Sequence, residues 1–359
     1  MSSVSTGADP AIVGRYLARV LDDPRWADCT VDLVSGGKSN LTYRVAGSAG
    51  ELVLRRPPLG NILPTAHDMV REHTVLTALA GTAVPVPTVV QLCTDPEVLG
   101  APFYVMQYVH GHIVRTALPD GYAQTPVERA AITRGLVDTL AALHDVVPAE
   151  VGLTGFGRPD GYLARQVSRW TRQWRATADA VASTGTGAAA GLDSLAEALA
   201  ASVPVQPSGS IVHGDFRIDN TVLDPERPGG IAAVLDWEMS TLGDPLADLG
   251  LFCVYWVQAG DGPERRAVSP VGAVTGQPGF GSRDDIAERY ARTTGRDLGD
   301  LSWYIAFGSF KLAVVVAGVV ARHRAGAMVG GGEGFAAVGD AFEPLVDLGH
   351  ATLGGRARR

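Results

Sequence analysis

The stretch Ile211-Val212-His213-Gly214-Asp215-Phe216-Arg217-Ile218-Asp219-Asn220-Thr221-Val222-Leu223-Asp224, continued by Pro225–Gly230 and then Ile231-Ala232-Ala233-Val234-Leu235-Asp236-Trp237-Glu238, decides the reading of the chain. Two apolar, β-branched-rich runs, Thr221–Leu223 and Ile231–Leu235, flank a Pro/Gly turn and predict a hairpin. His213, Asp215 and Asn220 enter that hairpin and Asp236 leaves it. Two carboxylates and an amide oxygen are therefore expected at one end, with Arg217 as the nearby cation. Oxygen donors of this kind suit a hard cation, and Mg²⁺ shares its shell with substrate phosphates rather than filling an all-protein cage. Asp and Asn are ordinary turn formers, so His-Gly-Asp alone would say little. The ordered set of four around a hairpin carries the argument.

The order His-x-Asp-x-x-x-x-Asn, with a strand-borne Asp further on, has the spacing of the kinase catalytic loop and its second metal ligand. In the form His-Gly-Asp-Phe-Arg-Ile-Asp-Asn followed by Leu-Asp-Trp-Glu, the sequence resembles the aminoglycoside phosphotransferase family. The resemblance covers most of residues 30–325. It implies an α+β, two-lobed protein-kinase-like fold with an antiparallel-sheet N-lobe over residues 1–110 and a mostly helical C-lobe over 111–359 carrying the hairpin. It implies transfer of the γ-phosphoryl group of ATP, or of GTP, to a hydroxyl of a small molecule. Asp215 would then be the base, Arg217 would neutralise the transferring group, and Asn220 and Asp236 would hold Mg²⁺. His213 is expected to brace the loop. The Leu54-Arg55-Arg56-Pro57-Pro58 and His-Gly-Asp-Phe-Arg motifs and the Tyr162–Trp174 segment look like the subgroup related to kinase domains fused to acyl-CoA dehydrogenases, which is associated with hydroxyacyl-CoA phosphorylation.

Composition sets outer bounds. A chain of 359 residues exceeds one ordinary domain. With 46% hydrophobic and 19% charged residues it can build large cores. A net charge of −8 argues against nonspecific nucleic-acid binding, which needs a basic face. Cys29, Cys93 and Cys253 form no C-x-x-C pair, so reduced buried thiols and a cytoplasmic location are expected. The N-terminus shows no secretory signal. The apolar run Leu312–Val320 is too short for a membrane span and reads as a core helix.

In chain order, residues 8–22 predict a helix started by Asp9-Pro10. Val31–Val34 and Leu41–Val45 read as strands joined by Ser35–Asn40. The glycines there make either a plain hairpin turn or a phosphate-covering loop, in which Gly37, Ser39 and Asn40 would meet the nucleotide. Glu51–Arg56 is a third strand. Kinase-like folds place a cation here, paired with a Glu on the next helix; this strand has no Lys, and the analogy selects Arg55 over Arg56. Arg keeps its charge and can grip phosphate oxygens in a bidentate manner. Glu72, on the helix expected over 66–79, is its candidate partner. Val89–Leu92 and Phe103–Val109 would complete a five-stranded lobe, with adenine read by backbone groups around Gln107 and Val109 and Met106 behind.

Further helices are expected over 126–144, 162–174, 195–201 (capped by Asp193 or Ser194), from 243 onward, over 284–294 and over 302–322. Residues 176–191 and 260–282 read as loops, 329–334 as a tether and 356–359 as a disordered tail. His144 reads as a helix-end core residue and Asp248 as a support of the catalytic loop.

The segments 162–174, 252–258 and 302–324 offer Trp170, Trp174, Tyr255, Trp256, Trp303, Tyr304 and Phe307, with Arg165, Arg169, Arg172, Lys311, Arg322 and Arg324 and no carboxylate. If they line the acceptor side, the acceptor has an apolar body and an anionic end, such as a hydroxyacyl thioester, and is not an aminoglycoside. Buried ammonium groups need paired carboxylates. The rivals are helix-packing core with solvated Arg residues at these positions, an aminoglycoside 3'-type phosphotransferase, a nucleotide-binding pseudokinase-like module, and a metal-dependent phosphohydrolase. No nucleic-acid or membrane partner is expected.

Overall fold

The computed structural model describes residues 7–36, 40–58, 68–179, 188–205, 209–268, 272–324 and 339–356. The chain forms two compact units: residues up to His110 with Ala232–Ser240, and Gly111–Ile231 with the chain from Thr241 onward. The sequence reading runs the second lobe unbroken from 111 to 359; Ala232–Ser240, which carries Asp236, instead packs with the first unit.

The first unit is a five-stranded antiparallel sheet in the order β1-β2-β3-β5-β4, built from β1 (Thr30–Gly36), β2 (Leu41–Gly47), β3 (Gly50–Arg56), β4 (Val89–Cys93) and β5 (Phe103–Gln107). Period-two alternation along β3 sends its residues to two different environments. Leu52 and Leu54 join Tyr43, Val45, Phe103 and Val105 in a core covered by Val13, Tyr16 and Leu17 of α1 (Pro10–Val20). Asp9 caps α1, its carboxylate accepting from the Ala11 N–H at 2.8 Å. Val53 and Arg55 are the intervening residues, and they pair in register with Met106 and Tyr104 of β5. A second helix, α2 (Met69–Leu79), is capped by Asp68 and buries Glu72; residues 66 and 67, included in the predicted helix, lie outside the described residues.

The second unit contains α3 (Pro126–Asp145), α4 (Tyr162–Arg175), α5 (Ala188–Ala201), α6 (Leu246–Tyr255), α7 (Arg283–Thr294), α8 (Leu301–Arg324) and α9 (Phe342–Arg356). Thr125 and Glu128 close a capping box on α3, with Pro126 at its first position. The strand β6 (Ser210–Val212) pairs antiparallel with β9 (Thr241–Gly243), and this pair delivers the chain to His213. The turn between β7 (Thr221–Leu223) and β8 (Ile231–Val234) is closed by the Asp224 N–H on the Gly230 carbonyl at 2.9 Å.

Several local expectations change. α5 begins at Ala188, so Asp193 and Ser194 are interior to it and cap nothing; its Ala-rich start extends the helix beyond the apolar run that the prediction followed. Residues 180–187 of the predicted connector lie outside the described residues, as do the 329–334 tether and the tail beyond Arg356. The predicted loop 260–282 contains two short helices, Pro263–Ala267 and Gly272–Thr275. The run Leu312–Val320 belongs to a helix long and apolar enough to cross a membrane by length and composition, rather than one too short, but 83% of its apolar window is buried within the protein. It is a core helix.

α6 and α8 meet through Gly250. A Cβ there would lie 2.5 Å from both the carbonyl carbon and oxygen of Tyr304. Gly250→Ala should therefore force the helices apart and lower stability by about 1–3 kcal/mol, the usual cost of overpacking. Chemical denaturation measures this, and an unchanged midpoint and slope would show that the contact is not tight.

Candidate active site

Two groups of side chains stand out, one in each unit. In the first, the Arg55 guanidinium is buried, with its side chain 10% exposed. Its Nη2 donates to Asp236 Oδ1 at 2.9 Å and its Nε lies 3.5 Å from Glu72 Oε2. Glu72 also accepts from the Tyr104 hydroxyl at 2.9 Å and from Asn40 Nδ2 at 2.7 Å, and the same Asn40 amide reaches Glu238 Oε2 at 3.1 Å. Burial disfavours the Arg55 charge, but Tyr104, Glu72 and Asp236 outweigh it and the guanidinium is held more strongly protonated than usual. Burial raises the Glu72 carboxyl, Asp236 adds to this, and Arg55 opposes it.

Arg56 faces the other way and donates to backbone carbonyls, those of Leu99 and Pro57 at 2.9 and 3.2 Å and that of Gly7. Strand alternation puts the two arginines on opposite faces of β3, and Arg55 is the one beside Glu72 and Asp236. Asp236 has a left-handed backbone, φ 66° and ψ 63°, a region that Asp tolerates better than most non-glycine residues. Gln107 and Val109 stand at the end of β5. The Gln107 N–H donates to the Thr88 carbonyl at 2.8 Å. Gly37 and Ser39 lie outside the described residues.

In the second unit, the catalytic-loop candidate hangs from Asp248 of α6. Asp248 accepts from the backbone N–H groups of His213 at 2.6 Å and Gly214 at 2.8 Å, and lies 3.2 Å from His144 Nε2. The other ring nitrogen of His144 lies 2.7 Å from the Tyr290 hydroxyl, so His144 is a buried link rather than a ligand. Lys311 of α8 donates to the Gly214 carbonyl at 2.5 Å. Gly214 has φ +86°, a conformation open to glycine. His213 is buried, and its Nδ1 accepts the Asp215 N–H at 3.2 Å.

The Asp215 carboxylate, 22% exposed, receives the Tyr255 hydroxyl on Oδ1 at 2.9 Å. Asn220 Nδ2 and Arg217 Nε approach its Oδ2 at 3.1 and 3.3 Å. Arg217 also pairs with Asp219 at 2.9 Å. Burial pushes the Asp219 carboxyl up and the Lys311 ammonium down.

The structure thus gathers Arg55, Glu72, Asn40 and Asp236 in one unit and Asp215, Arg217 and Asn220 in the other. The oxygen atoms that Asn220 offers in one unit and Asp236 in the other are each of the kind Mg²⁺ takes. The Asn220 amide nitrogen is turned to Asp215, which leaves its oxygen as a donor, and Asp236 uses Oδ1 for Arg55, leaving Oδ2. Among the described residues no group of three or more His, Cys, Asp or Glu could hold a metal by itself.

Sequence reasoning missed Tyr104, Glu238 and the catalytic-loop contact of Lys311, because none of them is near its partner in sequence. It also overread the aromatics. Trp174, Trp256, Trp303, Tyr304 and Phe307 are core, and the indole and phenol groups among them have partners: Asp193, the Gly281 carbonyl, the Leu199 carbonyl and Asp244. Arg165 binds the backbone carbonyls of Arg158 and Asp160, Arg172 binds Ser168, Arg322 is exposed, and the side chain of Arg324 lies outside those described. Of that set, Tyr255 and Lys311 are hydrogen-bonded to the catalytic loop.

A kinase-like sheet with an Arg–Glu pair and a helical unit presenting a clamped Asp define a two-lobed phosphotransferase class. The phosphotransferase enzyme family (APH) matches residues 30–276, and the chain belongs to it. It is 35% identical over 291 residues to acyl-CoA dehydrogenase family member 10 of Mus musculus, covering 81% of this chain and 26% of that protein. The chain therefore spans about a quarter of that relative's length. A solved structure from Ralstonia eutropha assigned to the aminoglycoside phosphotransferases superposes with a TM-score of 0.74 at 32% identity, over 91% of this chain and 93% of that one. The aminoglycoside phosphotransferase APH(4)-Ia, in ternary complex with ADP and hygromycin B, shares the fold with a TM-score of 0.57 at 14% identity, covering 94% and 98% of the two chains.

The Asp248 clamp has a measurable pH signature. Burial would raise its carboxyl, but the hydrogen bond and charge of His144, His213 and the Gly214 N–H together hold it below the ordinary 3.8. A carboxylate depressed on folding adds stability above its unfolded value and loses it as pH falls from there through the folded value. Asp248→Asn should cost about 2 kcal/mol or more at pH 7. The deficit should shrink as pH falls below 3.8, where the wild type loses its advantage. Urea unfolding at both ends of that range is the measurement, and an equal deficit throughout would contradict the clamp's ionic character.

Proposed function

We propose that this protein moves the γ-phosphoryl group of ATP, or of GTP, to a hydroxyl of a small molecule. The observation that carries the reading is the buried Arg55 guanidinium bonded to Asp236 and paired with Glu72. The missing strand Lys was the one sequence feature favouring a binding module without turnover, and Arg55 supplies the same cation with the same partner. Its charge is unaffected by pH in any ordinary range.

In this reading Arg55 binds the α- and β-phosphates and Glu72 holds it in place. Asp215 orients the acceptor hydroxyl and takes its proton as the oxygen bonds to phosphorus and the bond to the departing ADP oxygen breaks. Arg217, beside Asp215, neutralises charge on the transferring group. Asn220 and Asp236 would hold Mg²⁺, which when bound neutralises the β- and γ-phosphate charge. Positioning and charge neutralisation account for most of the rate in such transfers. The ADP named in the APH(4)-Ia complex supports a nucleotide co-substrate. The three cysteines are buried free thiols, which suits a cytoplasmic location.

For the acceptor we propose a hydroxyacyl thioester. Its support is the likeness to an acyl-CoA dehydrogenase family member and the cation Lys311 of α8, bonded to the Gly214 carbonyl of the loop that carries Asp215. A polycationic sugar would meet that cation unfavourably. Kinetics on a 4-hydroxyacyl thioester and on a kanamycin-like aminoglycoside separate the two, and efficient phosphorylation of the sugar alone would overturn the acceptor assignment.

Asp215→Asn keeps the side-chain size and removes the charge. It should lower turnover by at least about a hundredfold with little change in nucleotide affinity. Asp236→Ala should remove most of the Mg²⁺-dependent nucleotide affinity, and Asn220→Ala a smaller part of it, since the amide is a neutral donor. Calorimetric titration of ATP with and without Mg²⁺ checks both, and unaltered binding by Asp236→Ala would sink the metal assignment.

A further inference from the structure

α6 carries two side chains that reach the catalytic loop, Asp248 and Tyr255. Seven residues apart, they lie on one face of the helix, separated by about two turns or roughly 10 Å. Asp248 holds the backbone of His213 and Gly214, and Tyr255 holds the side chain of the next residue, Asp215. One rigid element therefore sets both the path of the loop and the direction of its carboxylate.

A carboxylate oxygen accepts about two hydrogen bonds. Asp215 Oδ2 has two donors, Asn220 Nδ2 at 3.1 Å and Arg217 Nε at 3.3 Å, while Oδ1 has the Tyr255 hydroxyl at 2.9 Å. One acceptor direction remains, on Oδ1. The ring of Tyr255 also backs the Arg217 guanidinium, 5.1 Å from the ring centre. We propose that Tyr255 is a positioning residue for the base, and that its hydroxyl orients Asp215 so that Oδ1 is the atom that takes the acceptor's proton. The acceptor O–H bond breaks towards Oδ1 as its oxygen bonds to phosphorus and the departing ADP oxygen leaves. Burial, then the Asp215 charge, push the Tyr255 phenol well above its ordinary 10.0, so it remains a neutral donor at working pH.

The inference rests on the phosphotransfer reading, and the test keeps the two apart. ADP formation from ATP and Mg²⁺ is followed with water as the only acceptor and again with a 4-hydroxyacyl thioester, for wild type, Tyr255→Phe, Asp215→Asn and the double variant. Tyr255→Phe keeps the ring and should lower turnover about tenfold, the effect of one charge-assisted hydrogen bond, with the KM for ATP and the thermal midpoint unchanged. In the Asp215→Asn background it should have no further effect, because its influence passes through that carboxylate. Unchanged turnover in Tyr255→Phe overturns the proposal. So does an equal loss in both backgrounds, which marks a purely structural role. Wild-type protein that forms no ADP with either acceptor overturns the phosphotransfer reading, and this inference falls with it.

Discussion

A buried carboxylate must be surrounded by donors or positive charge, because removing it from water otherwise costs several kcal/mol. Asp248 meets that requirement with two backbone N–H groups and His144. The consequence reaches through the second unit. The donors come from the loop after β6, so the loop is held to α6, and His144 joins α3 to the same point and, through Tyr290, α7. Lys311 of α8 takes the Gly214 carbonyl, so the short peptide between His213 and Asp215 has both its N–H and its C=O groups held by side chains. A loop of small span can keep a reactive carboxylate in one orientation only if its backbone has no alternative pairing.

The first unit solves a related problem with opposite sign. Arg55 is a buried cation set among Glu72, Asp236 and the Tyr104 hydroxyl. Glu72 and Asp236 together exceed its charge, and Glu238, bonded to Asn40, adds a third carboxylate to the network. Burial raises the Glu72 carboxyl and the Asp236 charge adds to this, against the opposing pull of Arg55. Asn40 occupies the chain just after the glycine-rich connection and spends its amide on two of these carboxylates.

The aromatic segments show how chemistry inferred from composition can mislead. Trp, Tyr and Arg crowded into three helices resemble a recognition surface when read along the sequence. In the folded chain the rings fill the core between helices, and the polar atoms of Trp174, Trp256, Trp303 and Tyr304 are satisfied locally, while the buried Trp170 indole N–H has no hydrogen-bond partner. Two of that set escape this fate, Tyr255 and Lys311, and both are bonded to the loop of the proposed base.

The sequence by itself determined the family and the two-lobed fold, and it singled out Asp215, Asn220 and Asp236 as candidates, since these readings depend on short-range spacing around a turn and a few obligatory side chains. Alternation along one strand separates Arg55 from Arg56 by face, and the family likeness singled out Arg55 between them. The tertiary structure decided what those residues touch. Glu72 and Asp236 are 17 and 181 positions from Arg55, Tyr255 is 40 from Asp215, and Lys311 is 97 from Gly214. Contacts at such separations leave no periodicity in the chain. They exist because helices and strands pack in one register, and a register is a property of the whole core rather than of any segment within it.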